Sequence, residues 1–318
     1  MTILVLGSKG LVGSAICRKL SAENRDFIAI SRLELDLMDL AATNNLFKKI
    51  KPTSVIGAAA KVGGMIANKT YPVEFLIENL TIQNNMAQAA FLNQVEKLVF
   101  LGSSCIYPTK ADQPISEDSL LTGVLEKSNE AYAVAKIAGV KLMQSYRDEY
   151  KKNWISVMPT NLYGPGDNFD LNNSHVLAAF IRKFFDATIL KQRELELWGS
   201  GNPRREFMHV DDFADGLLFV HDNYSERELI NIGTGSDISI KELAKMMGDI
   251  SGFQGEISWN TSVPDGTFQK LLNVRKLNSL GWKSKITLEK GLRSTYEWFV
   301  SNIGQARLNV PISSQSLK

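Results

Sequence analysis

Two side chains four residues apart, Tyr132 and Lys136 in "AYAVAKIAG", fall on one face of a helix. Tyrosine ordinarily ionises near pH ~10, and a neighbouring positive charge favours its phenolate. The spacing alone is common. It becomes specific beside Ser103 in "LGSSCIYP", a stretch that reads as the end of a central strand. Ser103 and Tyr132 can then share a hydrogen bond to one substrate oxygen, with Tyr132 exchanging a proton with it. Cys105 lies two residues beyond Ser103. A thiol there is either a small buried hydrophobe, as most free cysteines are, or a base.

The segment "LVLGSKGLVGSAI" supplies the second constellation: Gly7, Ser8, Lys9, Gly10, Leu11, Val12 and Gly13 between a strand and a helix. The first glycine permits a tight turn, the second lets backbone approach a pyrophosphate, and the third lets helix pack on strand. Free N–H groups and the helix dipole then favour an anion. The next strand, "FIAIS", ends in Ser31 and Arg32 where an NAD binder usually places a carboxylate. A guanidinium grips a 2′-phosphate that a carboxylate would repel, and Lys9 adds a second positive charge. The reading is therefore NADP(H), whose positively charged nicotinamide would further favour the Tyr132 phenolate, with Lys136 also holding the nicotinamide ribose. The alternative for Arg32 is a solvated surface arginine.

These residues need elements to position them. Apolar runs "ILVLG", "FIAIS", "SVIGAAA", "KLVFLGSS" and "WISVMPTN" read as buried parallel strands. Helical patterns lie between them: "GSAICRKLSAE", "LAATNNLFKKI", "ENLTIQNNMAQAAFLNQ" and "NEAYAVAKIAGVKLMQSYRDEY". The alternation predicts an α/β doubly wound parallel (Rossmann) sheet with a smaller α/β substrate domain. Residues 1–164 form the NADP-binding domain, with 206–234 returning to it. Residues 165–205 and 235–300 form the substrate domain, and the polar tail 301–318 receives no structure.

Composition narrows the partners. Of 318 residues, 44% are hydrophobic, enough for a substantial core, and the net charge of +2 gives no reason to expect nucleic acid. No apolar run approaches the roughly 20 residues a bilayer requires. The opening "MTILVLGSKG" lacks the features of a secretory leader, and two cysteines, Cys17 and Cys105, fit a reducing cytoplasm. Helices such as "NLTIQNNMAQAAFL" carry more apolar surface than one sheet face needs, which predicts a homodimer. No cluster has metal-ligand spacing.

Over residues 1–300 the sequence resembles the extended short-chain dehydrogenase/reductase family. The segments "AAKVGG", "TYPVEF", "GSSCIYP", "YAVAKIAG", "MPTNLYGPGDNF", "SHV", "WGSGNPRREFMHVDD" and "PDGTFQK" carry that resemblance in order. They resemble most the members that turn GDP-4-keto-6-deoxy-D-mannose into GDP-L-fucose, by epimerisation at C3 and C5 and reduction at C4 with NADPH. The resemblance implies Ser103, Tyr132 and Lys136 as the reductase triad, and Pro159, Thr160, Asn161 and Leu162 against the nicotinamide. It implies Lys183, Trp198, Arg205, Asp265 and Lys270 as contacts of the GDP-sugar. Two positions depart from the family pattern: Ala178 replaces a proline near His175, and Asn273 replaces an aspartate.

C3 and C5 of a 4-keto sugar are both alpha to one carbonyl, so one oxygen pocket can stabilise either enolate and serve the reduction too. Inversion then needs a base on one face and an acid on the other. Cys105 offers the thiolate and His175, on a polar loop, the complementary proton, unless it merely caps the following helix. Cys17 reads as packing, His209 as a structural brace and His221 as a surface residue. Three rivals share the scaffold. A nucleotide-sugar 4-epimerase needs no thiol, and a 4,6-dehydratase resembles "TDE" where this chain has "SSC". A cofactor-sensing binding protein would not need the intact Ser103, Tyr132 and Lys136.

Overall fold

The computed structural model describes residues 2–171, 173–263, 265–304, 306 and 308. In chain order the first elements are β1 (Ile3–Leu6), α1 (Leu11–Ala22), β2 (Phe27–Ile30), α2 (Leu40–Ile50) and β3 (Ser54–Gly57). There follow α3 (Met65–Thr70), α4 (Pro72–Leu92), β4 (Lys97–Leu101), α5 (Glu130–Tyr150), β5 (Asn153–Pro159) and β6 (Asn161–Tyr163). The second half runs α6 (Val176–Ile189), β7 (Glu194–Trp198), β8 (Arg204–His209), α7 (Val210–Asn223), β9 (Ile230–Ile232) and β10 (Asp237–Ser239). It closes with α8 (Ile240–Ser251), β11 (Glu256–Asn260), β12 (Gln269–Lys270), α9 (Arg275–Ser279) and α10 (Leu288–Ser301).

Six strands pair in parallel in the order β2-β1-β3-β4-β5-β9. Their side chains alternate between two cores, which is why the runs are apolar throughout. Leu4, Leu6, Val55, Leu98, Phe100 and Trp154 face Phe47, Met86 and Val140 of α2, α4 and α5. Ile3, Val5, Ile56, Val99 and Val157 face Ile16 and Leu20 of α1 and Phe213 and Leu217 of α7. The doubly wound sheet read from the sequence is the one found. A second sheet, β10-β8-β12 with β6 also on β8, and the pair β11-β7 pack with α6, α8 and α10 around a third core that includes Phe184, Phe207 and Phe299.

Several local expectations change. The helix read from Glu78 begins a turn and a half earlier, at Pro72, because proline is tolerated where the N–H has no intrahelical partner. The single strand read in "WISVMPTN" breaks at Thr160, whose N–H bonds to Ile232 O (3.2 Å) and whose Oγ1 donates to Glu206 O (3.2 Å). There the chain leaves the central sheet for the second one. His221 is not a surface residue. It is 4% exposed, with Nε2 2.6 Å from Ser54 Oγ and Nδ1 2.6 Å from Asp222 Oδ1, so it joins α7 to the amino end of β3. The pattern reading missed this because the partner lies 167 positions away in the chain. Of the tail, Ile303, Ala306 and Leu308 pack against the third core, while 305, 307 and 309–318 lie outside the described residues. Among the described residues no helix is long and apolar enough to cross a membrane.

Candidate active site

The glycine turn sits where β1 pairs with β2 on one side and β3 on the other, the point at which the strand order reverses. Gly7 has φ +82°, and a Cβ there would lie 2.8 Å from Ala58 backbone. At Gly13 a Cβ would lie 2.1 Å from Gly7 O, so α1 can approach the turn only without a side chain. Gly10 precedes α1 without a side-chain cap, leaving first-turn N–H groups for an anion. A cavity of about 280 Å³ opens here, lined by Gly7, Lys9, Gly10, Ser31, Arg32 and Ala58 to Lys61. Ser8 belongs to the same turn and Leu11, Val12 and Gly13 to the start of α1, but none of the four lines this cavity.

This cradle fits a dinucleotide. Arg32 is exposed at its edge and makes no side-chain hydrogen bond or ion pair with the described residues. A carboxylate is close by, which the sequence reading did not weigh. Glu34 instead turns back to accept from Ser31 N (2.8 Å) and Ser31 Oγ (2.7 Å). Those bonds, together with the charge of Lys9, hold its carboxyl below the usual range. Its charge is thus satisfied locally, and it does not line the cavity.

A second cavity, of about 560 Å³, receives Ser103, Cys105, Tyr132, Asn161, Leu162 and His175. Ser103 caps one turn of 3-10 helix at the end of β4, its Oγ accepting from Cys105 N (3.3 Å). That turn swings Cys105 to the cavity beside Ser103. Tyr132 arrives from the first turn of α5 and meets the edge of Phe75 at 6.2 Å. Lys136, one turn later, donates to Leu101 O (2.9 Å), with Nζ 5.7 Å from the Tyr132 ring centre.

Burial pushes the Lys136 ammonium down to about 8. Burial and the charge of Cys105 push the Tyr132 phenol well up, against the hydroxyl of Ser103. The phenolate expected from sequence relies on a positively charged nicotinamide as well as the ammonium; in the chain alone, desolvation dominates the phenol. In the chain alone Tyr132 is a proton donor aimed at the cavity. A donor pair of this kind, Ser103 with Tyr132, can stabilise charge that develops on an oxygen.

Cys105 is 5% exposed and burial raises its thiol; Lys270, then Ser103, then Lys136 oppose that rise. His175 occupies the N-cap position of α6, yet its side chain makes no capping bond, and among the described residues the imidazole has no hydrogen bond or ion pair where it lines the cavity. It opens to the cavity but is surrounded by protein, and this desolvation lowers its pKa. Ala178 is the third residue of α6. Its N–H has no intrahelical acceptor, so alanine in place of proline leaves the backbone path intact. Asn273 accepts from Arg275 N (3.0 Å), a bond an aspartate would make equally.

The expected GDP-sugar contacts divide. Lys183 Nζ stands 5.0 Å from the Trp198 ring centre, and half of that indole is exposed. Arg205 and Lys270 are register partners on β8 and β12, so both reach the same cavity. Asp265 does not line it. Its carboxylate accepts from Ser200 N (2.9 Å) and Ser200 Oγ (2.6 Å), fixing the turn after β7. Pro159 and Thr160 lie behind Asn161 and Leu162 at the crossing between sheets. Other cavity groups escaped the sequence reading. Asn68 Oδ1, Asn129 Oδ1 and Ser174 Oγ are buried in its wall with no hydrogen-bond partner among the described residues, polar surface suited to a polar ligand. Asparagines and serines in turns carry no sequence signal of this kind. His209 begins α7, its Nδ1 accepting from Asp211 N (3.2 Å), as a brace would; Cys17 packs half-buried in the second core. The described residues hold no group of metal-ligating side chains.

Comparison with known proteins agrees with this geometry. Residues 3–233 match the model of the NAD dependent epimerase/dehydratase family. The chain is 52% identical over 301 residues to a GDP-L-fucose synthase of Sinorhizobium fredii, covering 95% of this chain and 96% of the relative. It is 47% identical over 310 residues to the Escherichia coli GDP-L-fucose synthase, covering 94% and 97%. A GDP-L-fucose synthetase from Naegleria fowleri bound to NADP superimposes with a TM-score of 0.89 at 32% identity, over 96% of this chain and 94% of that one. The strand reversal at the glycine turn, the Ser103, Tyr132 and Lys136 set and these likenesses meet in one conclusion: the chain belongs to the NAD dependent epimerase/dehydratase family, in the group of the GDP-L-fucose synthases.

Proposed function

We infer that the chain converts GDP-4-keto-6-deoxy-D-mannose to GDP-L-fucose, epimerising C3 and C5 and reducing C4 with NADPH. The observation that carries this reading is that a thiol and an imidazole, Cys105 and His175, line the same cavity as Ser103 and Tyr132. A 4-epimerase or a cofactor sensor has no use for that extra pair.

In this reading the C4 oxygen sits between the Ser103 and Tyr132 hydroxyls, which stabilise each enolate. Cys105 removes the proton from the carbon, and His175 returns one from the opposite side of the ring. Bound NADPH supplies the hydride for C4. Tyr132 then gives its proton to the C4 oxygen, and Lys136, anchored on Leu101 O, holds that phenol and the nicotinamide ribose. Arg32 and Lys9 take the 2′-phosphate, and Arg205, Lys270, Trp198 and Lys183 contact the GDP-sugar.

The test is solvent deuterium wash-in at C3 and C5 with NADPH omitted. In Cys105→Ser exchange is expected to vanish while NADPH still binds, since a serine hydroxyl is a far poorer base than a thiol, whose unperturbed pKa is about 8.5. In His175→Asn some exchange should survive while inverted product falls. Wild-type exchange in Cys105→Ser would make the thiol a packing group. Homodimer formation belongs to the same reading: Val73 and Ile77 on α4 and Val134 and Tyr150 on α5 remain exposed, on helices that pack together. Sedimentation as a monomer at micromolar concentration would overturn it. Two unpaired cysteines support a cytoplasmic setting.

A further inference from the structure

A buried thiol is a poor base unless something offsets its desolvation. The groups that act on the Cys105 thiol are Lys270 from β12 and Lys136 from α5, with Tyr132 of α5 beside it, while His175 and Lys183 of α6, Arg205 of β8 and Glu126 line the same cavity. The two ammonium groups are not equivalent. Lys136 donates to Leu101 O (2.9 Å), lies over the Phe100 and Tyr132 rings and opposes the rise of the Cys105 thiol less than Lys270 does. Lys270 lines the cavity with Cys105 and makes no hydrogen bond or ion pair with the described residues.

What faces Lys270 in turn is Cys105, Arg205 and Glu126. Glu126 already accepts from Ser128 Oγ (3.3 Å) and Thr267 Oγ1 (3.1 Å), and Arg205 donates to Arg204 O (2.8 Å). Of the groups that favour that charge Cys105 is the larger and Glu126 the smaller, and both line the cavity with Lys270. The backbone holds it in place. Leu271 N donates to Gln113 Oε1 (2.8 Å), Leu272 N to Glu206 Oε2 (2.9 Å), and Ile115 N to Leu271 O (2.7 Å). Glu206, 0% exposed, also accepts from Thr234 N (2.6 Å) and Gly235 N (2.8 Å), so the segment that follows Lys270 is pinned to β8.

We propose that Lys270 is a positioning residue for the chemistry of Cys105: its unpaired ammonium, fixed in the cavity wall, is the counter-charge that lets the thiol ionise. The proposal rests on the epimerisation reading, in which Cys105 is the base. On ionisation the Sγ–H bond breaks, its electron pair stays on sulfur, and the proton leaves through the cavity to solvent. This task is separate from contacting the GDP-sugar, so its test needs no substrate.

In a Cys17→Ser chain Cys105 is the sole thiol. Its iodoacetamide alkylation rate is measured against pH, with substrate omitted, and NADPH binding confirms that each variant is folded. Lys270→Met and Lys270→Gln are expected to move the midpoint upward, and alkylation at neutral pH should slow about tenfold for every pH unit by which the midpoint rises. Lys270→Arg, which keeps the charge, should retain the midpoint of the Cys17→Ser parent. An unmoved midpoint in the Met and Gln variants, or an Arg variant displaced as far as Met, overturns the proposal. The epimerisation reading fails by a different result, deuterium wash-in that persists in Cys105→Ser, and the alkylation titration is blind to that.

Discussion

The glycine turn and the cavity around Cys105 open at the carboxyl ends of strands in one parallel sheet, β1 and β4, but they are made of different material. The turn is backbone. Its shape depends on what Gly7 and Gly13 lack, and its charge on Arg32, which makes no ion pair with the described residues. The cavity is made of side chains delivered by β4, α5, α6, β8 and β12, several of them desolvated and with ionisation shifted by one another. A backbone site tolerates changes around it and fails when a Cβ is added within it. A site of coupled side chains fails when any charge is removed.

That contrast predicts the largest effect at Gly13. In Gly13→Ala the new Cβ meets Gly7 O at 2.1 Å, with no flexible side chain to yield, so NADPH binding should be lost. Stability should drop by about 1–3 kcal/mol, the usual cost of overpacking. Gly10→Ala, with its Cβ at 3.3 Å, should be far milder. Titration with NADPH and denaturant melts of both variants check this. Equal behaviour would show that close packing of α1 on the turn is not what makes the site.

The next effect is selective rather than general. Arg32→Ala should weaken NADPH binding by about 1.5–3 kcal/mol, as for a hydrogen bond to a charged group, and leave NADH nearly unchanged. Equal losses for both cofactors would make Arg32 a solvated surface residue and remove the charge half of the comparison.

The smallest effect separates burial that serves the cavity from burial that serves the sheet. Lys97 and Lys136 donate to carbonyls near opposite ends of β4, and burial pushes both down to about 8. Between that value and the ordinary 10.5 the unfolded chain binds more protons than the folded one, so stability rises with pH across the window. Above pH 10 the buried phenols of Tyr163 and Tyr224, whose pKa values are raised, reverse the slope because the folded state keeps protons that the unfolded state loses. Melting temperatures of wild type and Lys97→Met at several pH values test this. The variant should lose part of the rise below pH 10, and an identical slope would show that Lys97 ionises as it does in the unfolded chain.

How far each region can be read from the chain follows its construction. The doubly wound sheet was legible because each parallel strand is buried on both faces and so must be apolar throughout. The cradle was legible because glycine spacing beside a strand encodes backbone geometry directly. The Ser103, Tyr132 and Lys136 set was legible because one turn of helix joins two of its members. The state of Tyr132 was not. It depended on how far the fold desolvates the phenol and on the charge of Cys105 beside it. His221 and Glu34 show the same limit: each was decided by a contact that carries no pattern, with Ser54 across the sheet in one case and the Ser31 turn in the other.

By itself the sequence determined the sheet, the glycine cradle, the basic residue beside it and the residue types available for proton transfer. All of these are local, because strand periodicity, turn conformation and helix spacing act over a few neighbouring residues. Tertiary structure alone decided that Cys105 and Lys270 line one cavity, that Asp265 holds a turn outside it, and that Asn68, Asn129 and Ser174 have polar atoms in its wall with no hydrogen-bond partner among the described residues. Ionisation and hydrogen bonding depend on distance and desolvation in space, and segments far apart in the chain meet there only once the sheets have packed.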